Sequence, residues 1–145
     1  MKLKLQKFIF YFLSFTWGIV LTLAGLLVAG VLLLAGKKPK KHGWCYYFEV
    51  GENWGGLELG VIFLTDKTQV ESTKHHEFGH AIQNCIWGPL MPFVINIPSA
   101  IRYWYRELKY HRKFKFPPTE YDDIWFEGQA TRWGRKLMGS ISSNK

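Results

Sequence analysis

Residues 69–87 read QVESTKHHEFGHAIQNCIW, and they decide how the rest of the chain is interpreted. The segment contains no proline, and its apolar side chains recur at helical spacing at Phe78, Ala81, Ile82, Cys85 and Ile86. Gly88-Pro89, a pair that ends helices, follows directly. The pattern therefore predicts an α-helix over residues 69–87.

This helix carries an H-E-x-x-H motif, His76-Glu77-Phe78-Gly79-His80. Two histidines four residues apart lie on one helical face, one turn apart, so both imidazoles can reach a single ion. Glu77 projects towards the same ion without binding it, at the distance from which a carboxylate takes a proton from water. The motif thus indicates a Zn²⁺ site with His76 and His80 as ligands and Glu77 as general base.

A catalytic zinc ion usually has three protein ligands and one open position, so a further ligand is expected from another segment. The downstream candidates are Glu107, His111, Glu120, Asp122, Asp123 and Glu127. Asp122 or Asp123 fits the cap of a final helix predicted over residues 124–138. Glu127 lies inside that helix, and small Ala130 and Thr131 follow one turn later, so its face can approach the motif helix closely.

Three other histidines have a weaker pattern than the motif pair, although His111 stays among the candidates for the third ligand. On a helix, His75 is rotated by about 100° from the next residue and points elsewhere. His42 and His111 have no partner at ligand spacing. Each is expected to be solvated or to support the site from outside.

The motif together with Glu127-Gly128-Gln129-Ala130 resembles the gluzincin metallopeptidases, in which a glutamate on a downstream helix, often within E-x-x-A or E-x-x-[DN], completes the zinc site. The chain is also similar to small bacterial membrane-associated proteins that have the end of a strand, an H-E-[FY]-G-H-x-x-Q segment, a G-P-L element and a P-S element in this order. These four elements are here Leu59-Gly60-Val61-Ile62-Phe63, residues 76–83, Gly88-Pro89-Leu90 and Pro98-Ser99. The resemblance covers roughly residues 55–135 and implies zinc-dependent peptide hydrolysis with Glu127 as the third ligand. One departure is Gly128-Gln129 inside the glutamate motif, with Thr131 where an acidic or amide residue is frequent.

The N-terminal part predicts a membrane anchor. Residues 8–36 carry no charged side chain and are flanked by lysines, a run longer than the roughly 20 residues that cross a bilayer and longer than the core of a signal peptide. We therefore expect one retained transmembrane helix, with residues 1–41 as anchor and basic linker and residues 42–145 as one metallopeptidase-like domain. The flanking lysines nearly balance, and basic residues further along favour a cytoplasmic domain beside anionic lipid.

A stripe of small residues on the anchor suggests a second use for it. Gly18, Thr22, Gly25 and Ala29 share one helical face, which permits close helix packing and self-association. The alternative is the ordinary composition of a membrane helix.

The remaining segments predict an α+β fold. Two β-type runs, residues 44–50 and 57–65, flank a glycine-rich loop and are typical of a β-hairpin. The hairpin, the motif helix and the Glu127 helix would form a compact zincin-like domain. Cys45 and Cys85 are expected to be free structural thiols, the alternative being one disulfide.

Two further segments point to lipid. Residues 90–101 are apolar but interrupted by Pro92 and Pro98, and are expected to form a buried or membrane-skimming connection. Residues 102–115 mix basic and aromatic side chains, which predicts an amphipathic helix on a lipid surface or, alternatively, a solvated basic face. With an anchor in the same small chain, nucleic acid is not expected as a partner.

Peptide-bond hydrolysis near a membrane is the leading functional hypothesis. A peptide or protein substrate would add to an edge strand within residues 57–65, and Tyr121 or His111 would help to stabilise the oxyanion. The alternatives are a catalytically silent membrane interaction protein that keeps zinc for structure, and a small lipid-binding protein with an accidental motif. Zinc stoichiometry and hydrolysis of a peptide library separate the three.

Overall fold

The computed structural model describes residues 2–68, 70–113, 115 and 117–144. They form five α-helices and a four-stranded mixed sheet, which is the predicted α+β class. The helices are α1 (Lys2–Phe15), α2 (Ile19–Leu34), α3 (Glu71–Trp87), α4 (Ile97–Lys109) and α5 (Trp125–Ser142). The strands are β1 (Lys40–His42), β2 (Cys45–Glu49), β3 (Gly56–Leu59) and β4 (Ile62–Thr65).

The sheet has the strand order β1-β2-β4-β3, and this order corrects the predicted hairpin. The two runs expected to pair as a hairpin instead contribute β2 and β4, which pair in parallel with Tyr46 opposite Ile62. The second run turns back on itself at Gly60, whose φ of 71° is a conformation that glycine adopts readily. It therefore makes two antiparallel strands, β3 and β4, and leaves β3 at the edge of the sheet.

The predicted continuous transmembrane helix is divided in two. α1 and α2 meet at a bend of 86°, and α3 holds the break in place. Trp17 Nε1 donates to the Ile86 carbonyl at 3.0 Å, and Asn84 Nδ2 donates to the Gly18 carbonyl at 3.1 Å. Among the described residues no single helix is long and apolar enough to cross a membrane, whereas length and composition would allow the bent pair to do so together.

The small-residue stripe of the predicted anchor packs inside the chain. Gly18, Thr22, Gly25 and Ala29 are all buried, and a side chain on Gly25 would collide with the Leu59 carbonyl. The chain's own domain therefore fills the face that was expected to be available for self-association.

The same core includes residues on both sides of the predicted domain boundary. Phe10 and Ala29 belong to one buried cluster with Trp44, Phe63 and Phe78. The boundary after residue 41 falls within β1, so the N-terminal helices pack directly on the rest of the fold.

Residues 88–109 form a nearly continuous helical segment, here called the rod. It starts with a 3₁₀ turn (Gly88–Leu90) and a π-helical turn (Pro92–Asn96) and continues into α4. Both prolines sit in the first turn of a helical stretch, where proline is tolerated, so the connection over residues 90–101 is helical despite them. The predicted lipid-surface helix accordingly begins earlier than residue 102.

α5 begins after Ile124, and no side chain caps it. The predicted cap is wrong, because Asp123 instead accepts a hydrogen bond from the Glu120 backbone at 3.0 Å in the preceding 3₁₀ turn.

Candidate metal centre

The site stands on a very close contact between α3 and α5. A Cβ atom on Gly79 would collide with the carbonyl oxygen of Ala130, and one on Gly134 would collide with the carbonyl oxygen of His75. Glycines and alanine at these positions let the two backbones touch. The contact turns the buried Glu127 of α5 towards the histidines of α3.

Three ligand atoms converge at this contact. Nε2 of His76 lies 3.0 Å from Nε2 of His80, and Oε2 of Glu127 lies 3.0 Å and 3.1 Å from these two nitrogens. Ligand atoms about 2.0–2.1 Å from a tetrahedral ion are about 3.3 Å from one another. The three distances in the structure, 3.0–3.1 Å, are slightly shorter than this. The three residues could therefore hold one metal ion.

A set of hydrogen bonds fixes the orientation of both imidazoles. His76 Nδ1 lies 2.8 Å from Thr131 Oγ1, and His80 Nδ1 lies 2.7 Å from Gln83 Oε1. Gln83 is itself held, because its Nε2 donates to the Phe126 carbonyl and to Gln129 Oε1, both at 2.9 Å. When both imidazoles are neutral and carry their proton on Nδ1, these oxygens accept it and the Nε2 lone pairs face the common site, as metal binding requires.

The charges of the cluster favour a cation. Burial would raise the pKa of Glu127, but its hydrogen bonds with His76 and His80 bring the pKa well below its usual range. Burial would lower the pKa of His80, yet the Glu127 hydrogen bond and the nearby carboxylates raise it to about 9. The cluster thus holds a proton between imidazole and carboxylate. A divalent ion can replace that proton, because metal ligands bind in their deprotonated form.

Glu77 lies between this cluster and the edge strand. Its carboxylate touches β3 so closely that a Cβ atom on Gly56 would collide with it. Burial raises the pKa of Glu77, His76 and His80 lower it in part, and Glu127 raises it further, with a net increase. A carboxylate with a raised pKa beside such a group of ligands is suited to proton transfer.

These groups face a cleft of about 550 Å³. β3 forms one wall through Gly56, Leu57 and Glu58, and the inner face of the rod forms another. Tyr121 also lines the cleft, with its hydroxyl 3.3 Å from Ser99 Oγ. Burial raises the pKa of Tyr121, so its hydroxyl keeps its proton and remains a hydrogen-bond donor.

The alternative third ligands lie away from the cluster. Glu107 Oε2 is 3.0 Å from His111 Nδ1 at the exposed end of the rod, and His111 lines the cleft without reaching the other histidines. Glu120 and Asp123 cap each other. Of the six candidates, Glu127 alone joins the two motif histidines among the described residues.

Two features of the site region were not predicted from the sequence. β1 brings His42 beside the first turn of α3, where its Nδ1 lies 3.3 Å from Glu71 Oε1 and its ring 5.0 Å from that of His75. The expectation that His42 has no partner at ligand spacing is therefore wrong. Glu71 is also paired with Lys74 at 3.4 Å and is mostly exposed, which makes this second group a poorer cation site.

The second missed feature is Glu58. It is 2% exposed, accepts a hydrogen bond from the Gly60 backbone and lines the cleft, and burial raises its pKa to about 8. A glutamate inside the apolar run of residues 57–65 was the available signal. Glu58 therefore adds a carboxyl group that is neutral at pH 7 to the wall opposite the rod.

Comparison of the chain with protein-family models, curated proteins and solved structures finds no match. Function has to be inferred from the chemistry of the cleft.

Proposed function

We propose that the protein is a zinc-dependent peptide hydrolase of the gluzincin type that works at a membrane. The supporting observation is the convergence of His76 Nε2, His80 Nε2 and Glu127 Oε2 beside Glu77 in an open cleft. Two imidazoles and one carboxylate form a donor set that suits zinc. Three protein ligands with one side open are typical of a catalytic rather than a structural zinc site.

The roles of the residues follow from their positions. When bound, zinc supplies Lewis-acid polarisation of a carbonyl and lowers the pKa of a water molecule to about 7. Glu77 takes the proton of the attacking water and passes it to the leaving amine. Tyr121 donates its hydroxyl to the developing oxyanion, and its raised pKa keeps that proton in place. Tyr121 is preferred to His111, whose Nδ1 is already paired with Glu107.

The edge strand supplies a binding mode for an extended peptide. Among the strands of the described residues, β3 pairs only with β4, so its other edge is open to a further strand. Gly56 lies on β3 against Glu77, so a peptide paired along this edge passes directly by the catalytic base. A peptide or protein substrate is thus favoured over a small molecule.

The membrane part of the proposal rests on α1 and α2. The apolar pair is held against α3 and is flanked by lysines, and the chain has a net charge of +8, which suits anionic lipid. Cys45 and Cys85 are free and buried, as expected in a reducing compartment. We therefore propose that the domain faces the cytoplasm.

The test uses the detergent-solubilised full chain and the Glu77→Gln variant. Zinc content is measured by mass spectrometry, and hydrolysis is followed on a mixed peptide library. We expect about one zinc per chain in both proteins and a loss of hydrolysis in the variant of at least about 100-fold, because only the base is removed. His80→Ala should lose the metal as well as the activity.

Two results would contradict the proposal. Hydrolysis by Glu77→Gln at the wild-type rate would remove the assigned base. Stoichiometric zinc without hydrolysis by the wild-type protein would favour the alternative function, a catalytically silent, zinc-stabilised membrane interaction protein.

A further inference from the structure

The outer face of the rod carries a continuous row of exposed apolar side chains. Between 48% and 69% of the surface of each is exposed, and successive members are three or four residues apart: Leu90, Phe93, Ile97, Ile101, Trp104 and Leu108. Trp104 lies at the edge of the row, because it also lines the cleft. This is the spacing of one helical face. Isolated exposed apolar residues are ordinary, but a row of six along one helix marks a binding surface. The row is called the rod stripe below.

Folding does not require the rod stripe, because the opposite face of the rod makes the internal contacts. Met91 and Ile95 are buried in a core cluster with Phe126. Ser99 and Tyr103 line the cleft, and the buried Arg106 donates to the Thr119 carbonyl at 2.9 Å. Within residues 2–68, 70–113, 115 and 117–144, the rod stripe is left open to the surroundings.

Both ends of the rod adjoin groups that are typical of a membrane interface. At the start, the Trp17 indole packs on Gly88, so the rod stripe begins where α1 meets α2. At the far end, Lys109, Arg112 and Lys113 are exposed. Basic residues at the end of an apolar helical face match the phosphates of anionic lipid headgroups. A second copy of this chain packed in parallel along the row would instead bring like charges together.

We propose that the rod stripe is a membrane-contact surface separate from α1 and α2, and that its occupant is an anionic lipid bilayer. The rod lies in the plane of the headgroup region, with its apolar row towards the acyl chains and Lys109, Arg112 and Lys113 on lipid phosphates. Because the inner face of the same rod lines the cleft, this contact holds the cleft at the bilayer surface. The inference does not depend on peptide hydrolysis.

The experiment places a fluorophore on the rod of the full chain. Phe93→Cys and Ile101→Cys are each labelled with NBD, and Lys136→Cys on exposed α5 is the matched control. The unmodified protein, whose two thiols are buried, gives the background labelling. Each protein is reconstituted into vesicles of phosphatidylcholine and phosphatidylserine with or without doxyl-labelled lipid. An interfacial helix buries its apolar face about 5–10 Å into the boundary, so lipid quenching at residues 93 and 101 should exceed that at residue 136 about fivefold.

The lipid charge is tested with a triple variant, Lys109→Glu, Arg112→Glu and Lys113→Glu, labelled at residue 101. Its quenching should fall in vesicles with phosphatidylserine and match that of the parent in pure phosphatidylcholine, since basic residues are attracted to an anionic lipid surface. Equal quenching by aqueous iodide at residues 93, 101 and 136 would overturn the proposal. So would protection of residues 93 and 101 that depends on protein concentration rather than on lipid, because a second copy would then cover the stripe. All readouts are independent of zinc and hydrolysis, so the inference can fail while the peptidase proposal stands.

Discussion

Thr131→Val tests whether the hydrogen bonds behind the ligands prepare the metal site. The variant keeps the size of the side chain and removes the oxygen that lies 2.8 Å from His76 Nδ1. His76 then loses the partner that fixes its tautomer and ring orientation. Loss of such a partner typically lowers metal affinity about 10- to 100-fold, which is about 1.4–2.7 kcal/mol.

Affinity is measured by competition between the detergent-solubilised protein and a fluorescent zinc chelator. Thr131→Ser returns the hydroxyl and should recover most of the affinity, and Ser140→Ala, on the exposed side of α5, should leave it unchanged. Unfolding of the metal-free proteins shows whether the fold survives, since one partly buried hydrogen bond contributes only about 1 kcal/mol. Wild-type affinity in a folded Thr131→Val would refute the reasoning, and equal losses in the valine and serine variants would assign the effect to packing.

Three further predictions concern the ligand, the helix contact and pH. Glu127→Ala should lower zinc affinity by at least about 100-fold in the same competition assay, because two imidazoles hold the ion poorly; unchanged affinity would exclude Glu127 as a ligand. Gly134→Ala should lower the free energy of unfolding, measured in urea, by about 1–3 kcal/mol, because its Cβ meets the facing backbone of α3. Gly139 has open space around it, so Gly139→Ala should leave the free energy of unfolding unchanged or raise it by up to about 1 kcal/mol. Burial lowers the pKa of His42 to about 4, so the folded state resists its protonation. The free energy of unfolding should therefore fall by up to about 3 kcal/mol as the pH drops from about 6.5 towards 4. His42→Phe should flatten this dependence, and an unchanged pH profile in the variant would contradict the prediction.

The sequence was most informative where the signal is local. Helical spacing predicted α3 to within two residues at its start, and the motif and the small residues after Glu127 anticipated which three side chains would meet. The hydroxyl of Thr131, a residue at which the chain departs from the resembled pattern, lies within hydrogen-bond distance of His76. The period of a helix and the reach of its side chains are set by residues close in sequence, so these features could be read from it.

Features that depend on distant contacts could not be read in this way. The two-residue turn Gly60-Val61 makes a hairpin of what the sequence pattern presents as one long strand, residues 57–65. Nor does an uncharged run of residues reveal that Asn84 and Ile86, more than sixty positions later, hold a break at Gly18 and Trp17. His42 reaches α3 only because β1 is paired in the sheet.

α3 connects the metal cluster to the N-terminal helices within a short distance. Its first half carries His76, Glu77 and His80, and its last turn holds the break between α1 and α2 through Asn84. From His80 to Asn84 the rise along a helix is about 6 Å. A helix does not stretch, so if α1 and α2 enter the bilayer, the cluster cannot be far from its surface. The rod follows α3 at this same end and runs along the cleft. The rod and the pair α1 and α2, the segments that favour lipid, would therefore both hold the cleft near the bilayer. A peptide that reaches the cluster would then have to approach along the open edge of β3, which makes segments close to a membrane the substrates this arrangement favours.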